Sequence, residues 1–225
     1  MEFDAFRLAA ATAELSEEPA AREHADLVEF RMDLAADPLA ALDDYDGELP
    51  LLCTNRPDWE GGDCEADEAD RLGTLESAVE HPAVEAIDVE VAAIADGAQA
   101  TLDHAHDHGA TVVASVHDFE STPPGDDLAE LVARAAAAGD VGKVAVTAED
   151  RGDVLRLLSV TDALDRQGER VATMAMGEAG RHSRVVAPLY GSRIGYAPVD
   201  PAEATAPGQY DLATLDRLVA DLGGR

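Results

Sequence analysis

Lysine is almost absent from this sequence. Sixteen of the 225 residues are Lys or Arg, and a single one of them, Lys143, is lysine. Positive charge as a whole is scarce, because 47 Asp plus Glu leave a formal net charge of −31. A surface of that sign repels phosphate, which excludes nucleic acid as a partner. Cysteine is also scarce. Cys53 and Cys64 form neither a CxxC pair nor a zinc spacing, so reduced thiols in a cytoplasm are expected. No apolar run reaches membrane-spanning length, and no charged-then-apolar leader is present. No membrane partner is therefore expected. No GxGxxG turn follows an early strand, which removes the usual dinucleotide signal.

What is present is ordered. Disorder is the first expectation for so high a charge, but 46% of the residues are hydrophobic and they fall in regular blocks. A folded core under a carboxylate surface suits concentrated salt, where screening suppresses self-repulsion. Short apolar runs alternate with longer Ala/Glu/Asp/Leu-rich segments. Strands are predicted at 3–10, 27–32, 49–54, 86–91, 111–116, around Lys143, at 170–176 and at 193–197. Helices are predicted at 18–25, 38–45, 63–80, 99–108, 126–138, 150–165, 185–190 and 212–222. Most of these strands are apolar on both faces, as in parallel sheets covered by helices. The fold class is therefore α/β, a (β/α)8 TIM barrel forming one domain over residues 1–225. A doubly wound open sheet is the alternative.

Lys143 lies inside Val141-Gly142-Lys143-Val144-Ala145-Val146, a run that reads as a buried strand. An ammonium in an apolar pocket loses its proton readily, whereas a guanidinium does not. The neutral amine can then form a Schiff base with a ketone. Barrel enzymes carry their chemistry at the C-terminal ends of the strands, and polar residues recur there. Glu29, Arg31 and Asp33 alternate with Phe30 and Met32 and share one strand face. Arg56 lies just past a strand and is a candidate anion clamp, with Glu60 following in a Gly-ended loop. His117 ends the strand beside that of Lys143 and is suited to general acid–base work. Arg181 and Arg184 follow Gly177 and Gly180 and can meet an anionic substrate. Thr205 and Gln209 offer a hydroxyl and an amide in a Pro-Gly loop that can close over a ligand.

The run His104-Ala105-His106-Asp107-His108 resembles a metal-ligand set. Spacing alone supplies no fourth ligand, and histidines favour a helix C-terminus. A solvated outer face with no metal is the expectation.

Taken together, Glu29 to Asp33, Arg56 to Gly62, Ser115-Val116-His117-Asp118, the lysine strand, Met176 to Arg184 and Ala206-Pro207-Gly208-Gln209 resemble the type I 3-dehydroquinate dehydratases of the shikimate pathway. The resemblance implies that Lys143 forms a Schiff base with the ring ketone of 3-dehydroquinate. It implies that His117 moves the protons and that Glu60 orients His117. Glu29 and Arg31 would hold ring hydroxyls with Arg56 nearby, Arg184 the carboxylate, and Thr205 and Gln209 the closing loop. Thr205 stands where the family often has serine, and the N-terminal strand matches poorly, so no site residue is assigned there. The small-molecule substrate would need no cofactor, and a homodimer is expected.

A class I aldolase or transaldolase would use the same lysine, but it would need a phosphate site that the sequence lacks. A non-catalytic acidic binding protein would leave the lone lysine unexplained. The composition carries one prediction directly. Moving the protein from molar to millimolar salt is expected to abolish its folded circular dichroism spectrum; an unchanged spectrum would refute salt adaptation.

Overall fold

The computed structural model describes residues 1–200, 202 and 208–225. Eight parallel strands alternate with helices: β1 Arg7–Thr12, α1 Glu18–Ala21, β2 Leu27–Arg31, α2 Pro38–Asp43, β3 Leu51–Thr54, α3 Glu68–Val79, β4 Val84–Glu90, α4 Val91–Ala95, α5 Gln99–Asp107, β5 Thr111–Asp118, α6 Gly125–Ala138, β6 Val141–Thr147, α7 Arg151–Asp165, β7 Val171–Met176, α8 Gly177–Gly180, α9 Ser183–Val186, β8 Ile194–Pro198 and α10 Leu212–Asp221. The strands follow one another around the sheet, with β8 returning to pair with β1. Among the described residues, β7 and β8 are joined not by a ladder but by a bridge between Val171 and Ser192, two residues before β8. Arg193 N donates to Val171 O across this seam at 2.7 Å, and Thr173 N donates to Ser192 Oγ at 2.9 Å. The result is the expected (β/α)8 barrel, nearly closed.

Acidic residues also start the helices. Asp37, Asp67, Asp150 and Asp211 cap α2, α3, α7 and α10 by accepting a backbone N–H, and Asp153 completes a capping box at α7. Part of the carboxylate excess thus satisfies helix N-termini, where negative charge is favoured.

Alternation along each strand divides the core. Outward residues such as Val28, Phe30, Ile87 and Val89 pack under the helices, as do Val144 and Val146 farther round. Inward residues change character within one two-residue step. Leu27, Leu52, Ala86, Val113, Val141 and Ile194 fill an apolar floor with Phe3. Two positions on stand Glu29, Thr54, Asp88, Ser115, Lys143 and Tyr196, all buried. The barrel is therefore apolar at its N-terminal end and charged toward its C-terminal end.

Four segments differ from expectation. The first strand runs over Arg7–Thr12 rather than 3–10, and Phe3, which precedes it, packs into the apolar floor instead. The acidic segment 63–80 becomes helical only at Glu68, after the Asp67 cap. Val91 opens α4 instead of ending β4. The closing segment 185–190 is α9 continued by a 3-10 turn, Ala187–Tyr190, that contains Pro188. Among the described residues no helix is long and apolar enough to cross a membrane. Cys53 is buried and Cys64 half-buried, and both are free thiols.

Candidate active site

One cleft at the C-terminal end of the barrel collects the expected residues. Glu29, Arg31, Arg56, Glu60, His117, Lys143, Arg184 and Gln209 all line it, together with Tyr196 and the apolar Met174 and Met176. Its empty space is about 530 Å³ with the open solvent at its mouth included. Thr205 lies outside the described residues.

Lys143 reaches this cleft because its strand alternates. The register pairs Ser115 with Lys143 and His117 with Ala145, so Lys143 and His117 project inward from adjacent strands, His117 one layer higher. The surroundings of the amine correct the expected apolar pocket. Nζ donates to Asp88 Oδ2 at 2.8 Å and lies 3.8 Å from Glu29 Oε1. The ring of Tyr196 packs against it with its centroid 4.5 Å away, within cation–π range. The strand is apolar on its outward side only, and the inward layer supplies carboxylates.

Asp88 holds this arrangement together. It is fully buried and accepts from Lys143, from Arg56 Nη2 at 2.7 Å and from Ser115 Oγ at 2.5 Å. Burial would raise its pKa, but the Arg56 and Lys143 charges outweigh that and hold the carboxyl far below the usual range. Arg56 also donates to Glu90 and, at 2.7 Å, to Ser115 Oγ. Glu90 pairs in turn with buried Arg71 at 2.7 Å. Arg56 lines the cleft as expected, but its guanidinium is engaged by protein acids. It is a scaffold for carboxylates rather than an anion clamp.

His117 is held from its δ side. Glu60 Oε1 accepts from the His117 backbone N–H at 3.1 Å and lies 2.9 Å from Nδ1. Burial, reinforced by the Arg56 and Lys143 charges, keeps the imidazole well below its ordinary pKa. Burial also pushes the Glu60 carboxyl up to about 7, against the pull of Arg56. With Glu60 ionised, Nδ1 carries the hydrogen and Nε2 keeps a lone pair. The Glu60 turn docks onto the strand of His117 through Gly61. Its φ is +79°, and an added Cβ would stand 2.5 Å from the Phe119 ring.

The remaining groups ring the mouth. Arg31 makes a two-pronged pair with Asp33, 2.8 and 2.6 Å; β2 ends at Arg31, so Asp33 meets it from the following turn rather than from the same strand face. Glu29 accepts from Thr54 Oγ1 at 3.0 Å. Arg184 is buried on α9, and burial lowers its pKa to about 10. Arg181 turns away, its guanidinium 4.2 Å from the centroid of Tyr210. Gly208, at φ +79°, packs so tightly on Gly177 that a Cβ would lie 2.5 Å from the Gly177 carbonyl. That contact brings Gln209 to the cleft.

The sequence reading passed over Asp88, Glu90, Arg71 and Tyr196. Asp88 and Glu90 carried a signal, since two acids alternate with Ile87, Val89 and Val91 just as Glu29 and Arg31 alternate with Phe30 and Met32. Removing the Asp88 charge leaves Arg56 and Lys143 buried without their shared partner. Asp88→Asn is expected to cost about 3–5 kcal/mol of stability, read as a lower denaturation midpoint at constant molar salt; an unchanged midpoint would contradict the role given to this carboxylate.

Comparison with known proteins bears on what the cleft is for. Residues 7–224 match the family model described as type I 3-dehydroquinase. The 3-dehydroquinate dehydratase of Haloarcula marismortui is 59% identical, with 99% of this chain and 98% of that protein aligned. That of Halobacterium salinarum is 56% identical, over 99% of this chain and all of the relative. Among solved structures, the 3-dehydroquinate dehydratase of Geobacillus kaustophilus superposes with a TM-score of 0.83 at 27% identity, covering 98% of this chain and 92% of that one. With nearly its whole length matched, the chain belongs to the type I 3-dehydroquinase family.

Proposed function

We propose that the protein is a hydro-lyase that converts 3-dehydroquinate to 3-dehydroshikimate and water through an imine on Lys143. The observation that carries this reading is the shared cleft: the lone lysine, anchored by Asp88, and a histidine with a free Nε2 lone pair face one space from neighbouring strands.

The chemistry requires both groups. The proton on the carbon beside a ketone is weakly acidic, and hydroxide is a poor leaving group. Lys143, once it has given up a proton, attacks the ring carbonyl carbon; loss of water gives an iminium. The iminium nitrogen keeps its positive charge where the ammonium had been, within reach of Asp88 and Glu29. His117 Nε2 takes the neighbouring C–H proton, and that bond's electrons move toward the iminium to give an enamine. The electrons then return to expel the β-hydroxyl, which leaves as water with the proton carried by His117. Hydrolysis of the conjugated imine releases the enone and restores Lys143.

The other residues take positions around this sequence. Glu60 holds His117 Nδ1–H, fixing the tautomer that exposes Nε2. Arg184 pairs with the substrate carboxylate, whose charge suits a buried guanidinium. Glu29 and Arg31 hold ring hydroxyls, Arg56 anchors Asp88 and Glu90, and Thr205 and Gln209 close the mouth. No cofactor or metal enters the scheme. The reading takes in a single catalytic domain over residues 1–225 that acts as a homodimer in the cytoplasm. It includes no nucleic-acid partner, in keeping with the charge of −31.

Borohydride reduction in the presence of 3-dehydroquinate tests the imine. A stable adduct is expected on Lys143 by mass spectrometry, and Lys143→Ala should lose both adduct and turnover. His117→Ala should still form the adduct while its enone absorbance rises at least about 100-fold more slowly. An active Lys143→Ala enzyme would end the proposal.

A pH profile tests the Glu60–His117 pair. As pH falls through about 7 Glu60 takes up a proton and no longer holds Nδ1–H as a carboxylate. An acid limb in kcat/KM is therefore expected near that pH. It belongs to the coupled pair rather than to either residue alone. Glu60→Gln keeps a neutral acceptor at every pH and should flatten that limb while lowering the plateau. A limb left in place by Glu60→Gln would mean that another group governs it.

A further inference from the structure

The histidine run that the sequence places on the outer face has a partner that spacing could not reveal. His104 and His108 lie one turn apart at the C-terminal end of α5, their ring centroids 4.4 Å apart. Glu80, the residue that ends α3, meets them there. One ligand atom from each of the three lies within 4.8 Å of the other two. We propose that Glu80, His104 and His108 form a binding site for a divalent transition-metal ion of the Zn²⁺ type, which pins the end of α3 to the end of α5.

Three observations support the site. First, Glu80 Oε1 and His104 Nε2 are 3.6 Å apart. That is too long for a hydrogen bond. It matches the roughly 3.3–3.6 Å between two donors bound tetrahedrally to one ion at about 2.0–2.2 Å. His104 Nε2 is shielded from solvent and has no hydrogen-bond partner among the described residues. Second, His108 Nδ1 lies 2.9 Å from the His104 carbonyl. A ring whose one nitrogen donates to a backbone carbonyl presents the lone pair of the other, as metal-bound imidazoles do. Third, α3 and α5 both bring their C-terminal ends to this point, and the negative end of each helix favours a cation. Imidazole with carboxylate suits Zn²⁺, Cu²⁺ or Ni²⁺ rather than Mg²⁺ or Ca²⁺. His106 takes no part, since it faces Asp140 at 2.9 Å on another side of the helix.

The test uses the full chain, stripped with chelator and held in molar KCl with excess Mg²⁺, so that surface carboxylates are already occupied by hard cations. Zn²⁺ is titrated against a colour indicator, and Cu²⁺ is then followed by electron paramagnetic resonance. One saturable equivalent is expected, with nitrogen hyperfine structure from two imidazoles. His104→Ala and His108→Ala should each weaken binding about 10-fold or more, and Glu80→Gln should weaken it too. His106→Ala should bind as the parent does. No saturable binding in the parent, full binding in both His104→Ala and His108→Ala, or its loss in His106→Ala would overturn the proposal.

Discussion

The ion pair between Lys143 and Asp88 is the constraint from which the rest of the molecule follows. Two opposite charges 2.8 Å apart inside a barrel are costly to desolvate, and the cost is met only when every remaining lone pair and proton has a partner. Here the partners are supplied in sequence around the sheet. Asp88 also binds Arg56 and Ser115, Arg56 binds Glu90, and Glu90 binds Arg71. This chain of contacts runs from the loop after β3 across β4, β5 and β6 and ends in helix α3. Fold and site are thus one network, and a change in any member disturbs both.

The same network explains how a protein of charge −31 keeps a workable interior. On the surface, carboxylates repel one another and depend on salt for screening. Inside, acids are interleaved with the few cations the chain possesses. Eight of the fifteen arginines are exposed, and some pair with surface acids, as Arg166 does with Asp162 and Arg170 with Asp4. Arg56, Arg71 and Arg184 are buried at or beside the cleft, where each faces an acid or an expected substrate carboxylate. At Glu60 burial prevails over the pull of Arg56, and the carboxyl is pushed up to about 7. It sits on the one ring that must carry a proton in and out.

Much of this was legible from residues alone. Alternation of period two in β2 identified Glu29 and Arg31 as inward-facing, because a strand offers its side chains no other choice. The position of His117 at a strand end, next to the lysine strand, followed from the barrel order. Arg184 and Gln209 reached the cleft as the family likeness implied. The nature of the lysine's surroundings was not legible. A β-branched run looks apolar from within its own strand, while the groups that touch an inward side chain come from neighbours 55 and 114 positions earlier in the chain, Asp88 and Glu29. Strand ends were also harder to place than strand centres. Ala9, Ala10 and Ala11 have weak strand preference and are held in β1 by pairing with β2 and β8.

By itself the sequence determined the alternation of strands and helices, the acidic exterior, the absence of a second lysine and the identity of most groups in the cleft. These are properties of composition and local period, which need no knowledge of neighbours. Only the tertiary structure decided which charges meet. Asp88 became the lysine's partner, Arg56 an internal strut rather than a ligand clamp, and Glu80 the companion of two histidines on another helix. Each of these depends on closing the sheet around its axis, and pairing between residues distant in the chain is set by that closure and not by spacing.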